Sequence, residues 1–97
     1  MDPQMIDRKL KDQIIKLKIE EGRTARSLAD EFGIPQTTIF TWVKAYKKKA
    51  ATDAKLAKEL ADMEELQRLK KENAELKKEV DFLKQAAAFF AKEVHLN

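Results

Sequence analysis

The sequence predicts an all-α protein, with an N-terminal three-helix unit followed by a long C-terminal helix that forms a parallel coiled coil. Three observations predict it. Only two glycines (Gly22, Gly33) and two prolines (Pro3, Pro35) punctuate 97 residues, in a composition rich in the helix formers Ala, Leu, Lys and Glu. Apolar residues in the first fifty positions recur at i, i+4 and i+7. From residue 65 onward they recur in heptads, with flanking charges sorted by sign. The expected organisation is a unit over 1–50, a helical connector over 51–64 and an oligomerisation helix over 65–97.

Leu10, Ile14 and Leu17, with Ile6 one turn earlier, mark a first amphipathic helix. It begins near residue 3 if Asp2-Pro3 caps it, or near 7 if Asp7 does, and runs to about 21, where Gly22 stops it. Thr24 caps a second helix in which Leu28, Ala29 and Phe32 share a face, and Gly33 ends it after about two turns. A third helix begins near Pro35, and Ile39, Trp42, Val43 and Tyr46 form its buried side. This order describes a helix-turn-helix of homeodomain-like, three-helix form. In it the small Ala29 allows a close helix crossing, Gly33 supplies the positive φ of the turn, and Ile34, Ile39 and Trp42 close the core.

If that unit binds DNA, its third helix enters the major groove by its N-terminal end. Gln36, Thr37, Phe40, Thr41 and Lys44 then point away from the core. Gln bridges adenine edges, Thr suits several bases, and Phe40 meets a thymine methyl. Arg23 and Arg26 at the start of helix two, with Lys44 and the run Lys47, Lys48 and Lys49, are expected at phosphates, where they set affinity and register. The charge balance agrees. Residues 1–50 hold 11 Lys/Arg against 7 Asp/Glu, whereas 51–97 hold 9 against 10, so the N-terminal half is the one that attracts an anion. Each feature has a plainer reading, as a solvated lysine face or an ordinary polar surface. The exposed aromatic Phe40 is the hardest to account for that way.

In the C-terminal half, Leu69, Leu76, Leu83 and Phe90 at d place Leu66, Asn73, Val80, Ala87 and Val94 at a. Glu65, Glu72 and Glu79 then occupy g, and Lys70, Lys77 and Lys84 occupy e. A parallel pair in register sets Glu65 against Lys70, Glu72 against Lys77 and Glu79 against Lys84, whereas an antiparallel pair sets like against like. Asn73 bonds its own copy only in the registered parallel pair and so favours two strands. Upstream, Leu56, Leu60 and Met63 keep 4-3 spacing one residue out of phase with Leu66, so the seam is expected to break, bend or repack near residue 64. Phe82 and Phe89 fall at c with Ala86 between them. That edge points to further helices, to another partner or to packing back onto the dimer.

The charged fraction of 38% excludes a large core. Cysteine is absent and the lone histidine is His95, so neither disulfides nor a structural zinc site is expected, and no cofactor is implied. No apolar run approaches the roughly 18 residues of a membrane span, and Asp2 and Asp7 stand where a secretory signal carries lysines. These features predict a soluble intracellular protein with no membrane partner. The Asp and Glu residues scatter over exposed helix faces without a catalytic arrangement, so an enzyme is not expected.

Two stretches in this order, "EEGRTARSLADEFGIPQTTIFTWVKAY" and "ENAELKKEVDFLKQAAAFFAKE", resemble the OrfA proteins of bacterial insertion sequences, over about residues 8 to 93. The resemblance implies a first-frame protein that binds the terminal inverted repeats of its element as double-stranded DNA. It implies a zipper that forms homodimers or higher oligomers, and mixed dimers with a frameshifted full-length transposase carrying the catalytic domain. It also implies a bacterial, cytoplasmic, nucleoid-associated setting. By resemblance Gln36, Thr37, Phe40, Thr41 and Lys44 occupy the recognition-helix positions and Trp42 is the family tryptophan. Pro35, Gln36 and Thr41 stand where many relatives carry a Ser cap and an Arg. The competing readings are a stand-alone dimeric repressor with the same head and a coiled-coil assembly protein that does not bind DNA.

Overall fold

The computed structural model describes the backbone of residues 3–95 and the side chains of 8–94. Among the described residues there are four helices and no strand: α1 (Pro3–Ile19), α2 (Ala25–Phe32), α3 (Gln36–Ala50) and α4 (Ala54–His95). The chain divides into two units, Met1–Gln67 and Arg68–Asn97, and the division falls inside α4.

α1 takes the earlier of its two possible starts. It ends at Ile19, short of residue 21, because the turn around Gly22 (φ 68°) takes the last residues out of the helical ladder, and the Arg23 N–H returns to the Leu17 carbonyl at 3.3 Å. Asp2 and the side chains of Ile6 and Asp7 lie outside the described residues.

Thr24 caps α2 as its sequence predicts, with extended backbone and its hydroxyl accepting from the Ser27 N–H at 3.1 Å. Gly33 closes the helix in the left-handed region (φ 67°, ψ 32°). Its N–H and that of Ile34 both reach the Ala29 carbonyl, at 2.9 and 3.3 Å, which forms a Schellman-type end and turns the chain into α3. The Pro35 carbonyl accepts from Thr38 and Ile39 at the start of α3, so Pro35 sits just outside the helix and fixes its entry.

The core of the first unit is small and, among the described residues, wholly apolar. Ile14, Ala25, Leu28 and Ile39 form its centre, and Leu10, Leu17, Ala29, Phe32, Ile34 and Trp42 pack around it. Burying each large aliphatic side chain contributes about 1.5–3 kcal/mol, so the full burial of Ile14, Leu28 and Ile39 gives most of the hold on the three helices.

A second buried group lies beside this core. Ile15, Ile19 and Ala50 are buried as well, although none belongs to the central cluster. The start of α4 lies alongside them. Asp53 begins that helix by accepting from the Lys55 and Leu56 N–H groups at 2.9 and 3.2 Å. Leu56, Leu60, Met63 and Gln67 follow at i, i+4, i+7 and i+11, and all four are partly covered. Leu56 and Met63 share a groove with Ile15 and Tyr46, and Gln67 shares one with Ile19 and Val43. The first turns of α4 thus form a fourth helix of the N-terminal unit.

In the second unit α4 continues with exposed side chains from Arg68 to Val94, apart from half-buried Ala86. Phe89 and Phe90 meet edge to face at 6.0 Å between ring centres.

Candidate nucleic-acid interface

The turn at Gly33 and the burial of Ile39 decide which side of α3 faces outward. With 100° per residue, fixing Ile39 inward turns Thr37, Thr41 and Lys44 outward and sets Phe40 on the flank, while Gln36, only 60° from Ile39, is exposed as the first residue of the helix. All five are exposed, and Phe40 keeps 55% of its surface in solvent. The buried flank is held by Trp42, Val43 and Tyr46, each half-covered. Lys11 reaches over the Trp42 ring with Nζ 5.9 Å from its centre, within cation–π range. Burial raises the Tyr46 phenol above its ordinary pKa, and the nearby Glu59 and Asp12 carboxylates add to the effect.

The outward side chains differ in what they still offer. Thr41 donates its hydroxyl proton to the Thr37 carbonyl at 2.9 Å, which leaves its methyl group and oxygen lone pairs for a ligand. Phe40 presents a ring with more than half of its surface in solvent. Among the described residues the side chains of Gln36 and Lys44 have no partner.

The expected phosphate contacts separate. Arg26 is exposed on the first turn of α2 and has no ion-pair partner among the described residues. Arg23 is half-buried and engaged: its guanidinium donates to Ser27 Oγ at 2.6 Å and pairs with the Glu31 carboxylate. Ser27 and Glu31 stand four and eight positions on, so Arg23 runs along α2 and ties the preceding turn to it. Nothing in the residue type announces this. The i+4 and i+8 spacing is the signal that would have found it. Lys47 is exposed, on the edge of α3 that shares a groove with Glu64 and Gln67.

The heptad positions Leu66, Leu69, Leu76, Val80, Leu83 and Phe90 are all exposed in the single chain, between 41% and 67%, and Asn73 is exposed with them. Glu72 at g takes Arg68, four residues back, at 2.8 Å. Both groups are solvent-exposed, so this pair is worth little and competes weakly with any other.

The helix-turn-helix transposase family matches residues 7–81. The chain belongs to that family. The match takes in α1 from residue 7, α2, α3 and α4 as far as Asp81, so the geometry above is that of a DNA-binding head of transposase type. No curated protein and no solved structure matches the chain significantly. Among the described residues no helix of this transposase-family protein is long and apolar enough to cross a membrane.

Proposed function

We propose that this transposase-family chain is a non-catalytic DNA-binding subunit of the OrfA kind, which binds the terminal inverted repeats of a bacterial insertion sequence and regulates or assists its transposition. The observation that carries the reading is the outward row of α3. Five side chains suited to base edges stand exposed, with Thr37, Thr41 and Lys44 on the face opposite fully buried Ile39, and one of the five is an aromatic that keeps 55% of its surface in solvent. In this reading α3 lies in the major groove. Gln36 bridges an adenine edge, Thr37 and Thr41 meet bases through hydroxyl oxygen and methyl, Phe40 covers a thymine methyl, and Lys44 stands at the rim. Arg26 meets a phosphate beside the groove, while Arg23 holds the α1–α2 turn that presents it.

The exposed stripe Leu66, Leu69, Asn73, Leu76, Val80, Leu83 and Phe90 supports pairing of two copies in parallel, with Glu at g and Lys at e attracting across the seam. A single head reads few base pairs, and joining two heads makes the second contact intramolecular. The same seam serves mixed dimers with a frameshifted transposase, which supplies the catalytic carboxylates and their metals. The subunit itself needs no cofactor and works in the bacterial cytoplasm on nucleoid DNA.

The test is anisotropy with an inverted-repeat duplex and a scrambled one. Thr37→Ala and Gln36→Ala are expected to cost roughly 1–3 kcal/mol on the specific duplex only, whereas Arg26→Ala weakens both and lowers the salt slope. Equal losses on both duplexes for all three variants would rule out the groove assignment.

A further inference from the structure

We propose that Lys48, rather than its neighbours Lys47 and Lys49, is the phosphate contact at the far end of the recognition helix. This rests on the DNA-binding reading and divides a lysine run that composition treats as one feature.

Three consecutive residues on a helix point 100° apart, so the run Lys47, Lys48 and Lys49 cannot act on one ligand face. Each belongs to a different row of α3. Lys48 continues the row Thr37, Thr41, Lys44 at i, i+4, i+7 and i+11, and all four members are exposed. Lys47 continues the row Gln36, Phe40, Val43. That row begins in solvent but is half-covered at Val43, where Lys47 shares a groove with Glu64 and Gln67 of α4. Lys49 continues the row Thr38, Trp42, Ala45. It borders grooves lined by Asp12 of α1 and Glu59 of α4. Thus each flanking lysine borders a groove that also carries a carboxylate of its own unit, which lowers the attraction for a phosphate approaching it. Lys48 lines none of these three grooves.

Axial distance gives Lys48 its target. Lys44 lies seven residues beyond Thr37, about 10 Å along the helix, which is still within a major groove about 12 Å wide. Lys48 lies eleven residues beyond, about 16 Å, and therefore over the sugar-phosphate wall where the helix leaves the groove. A compact ammonium on a flexible stem suits a phosphate there and carries no base preference.

The experiment measures affinity for a mixed-sequence duplex against salt concentration, using the full chain and the single variants Lys47→Ala, Lys48→Ala, Lys49→Ala and Lys48→Arg. All four change exposed side chains, and unchanged melting confirms that the head is intact. For Lys48→Ala the log–log slope is expected to fall by about 0.9, so the loss of affinity between about 50 and 200 mM salt shrinks roughly 3.5-fold. Lys48→Arg restores the slope, and Lys47→Ala and Lys49→Ala leave it at the parent value. A parent slope retained by Lys48→Ala, or an equal fall in Lys47→Ala or Lys49→Ala, overturns the assignment while the DNA reading stands. A parent chain with no salt-dependent binding to duplex DNA overturns both.

Discussion

The docking of α4 onto the head makes a quantitative prediction for the double substitution Leu56→Ala with Met63→Ala. Both side chains line the groove beside Ile15 and Tyr46, and both are partly covered. Truncating a fully buried Leu or Met to Ala costs about 2–5 kcal/mol. Partial cover scales that to about 1–2 kcal/mol at each site. Alanine is the better helix former, but the return is only a few tenths of a kcal/mol per position, so the loss of packing wins. The expected total is about 2–4 kcal/mol. For a unit of this size, whose whole stability is roughly 3–10 kcal/mol, that is about a fifth or more. The assay is thermal melting followed by tryptophan fluorescence, since Trp42 is the chain's single tryptophan and packs against the head's core. The double variant is expected to melt roughly 8–32 °C lower at every protein concentration, with unchanged sedimentation. Leu76→Ala, on the exposed stripe, is expected to show the converse, with altered sedimentation and an unchanged tryptophan melt. A double variant that melts with the parent would refute the docking of α4 as a fourth helix.

Two further outcomes follow from single residues. Replacing Asn73 by Leu removes a buried amide from the proposed seam and is expected to raise the melting temperature of the paired helices while broadening the assemblies seen in sedimentation; a parent that is monomeric at micromolar concentration would sink the zipper argument. Tyr46 predicts an alkaline effect, because its phenol holds its proton above the ordinary pKa of 10.0 through burial, then through Glu59 and Asp12. The unfolded chain releases that proton first, so the contribution of Tyr46 is fully present below pH 10 and is lost as pH climbs from there through the folded-state value. Urea titrations of the parent and Tyr46→Phe are expected to show a shallower alkaline decline in the variant, and equal declines would show that the phenol is not selectively held neutral.

Much of the head was legible because its signals are local. A cap hydroxyl at Thr24, a glycine at the end of α2 and a four-residue spacing on α3 act within one or two turns, and the structure places each where spacing puts it. Partners that lie far along the chain were not legible. Ile15 and Ile19 form an i, i+4 pair beside the row of Ile14, yet the grooves they line are shared with α4 residues forty or more positions on, and no local pattern names those partners. Arg23 carries a second role that the residue type did not show: a cation near a helix start reads as a phosphate ligand, and here Ser27 and Glu31 also take it. The phase break near residue 64 was visible, and its meaning was hidden. The row Leu56, Leu60, Met63, Gln67 and the row that begins at Leu66 differ by one residue, which is 100° around the helix. The first row lies against the chain's own head and the second is left in solvent, so one helix carries an internal face and an available face that do not compete for the same side chains. A continuous heptad from Leu56 would have forced that competition, since any partner helix would have had to displace the head to complete its seam.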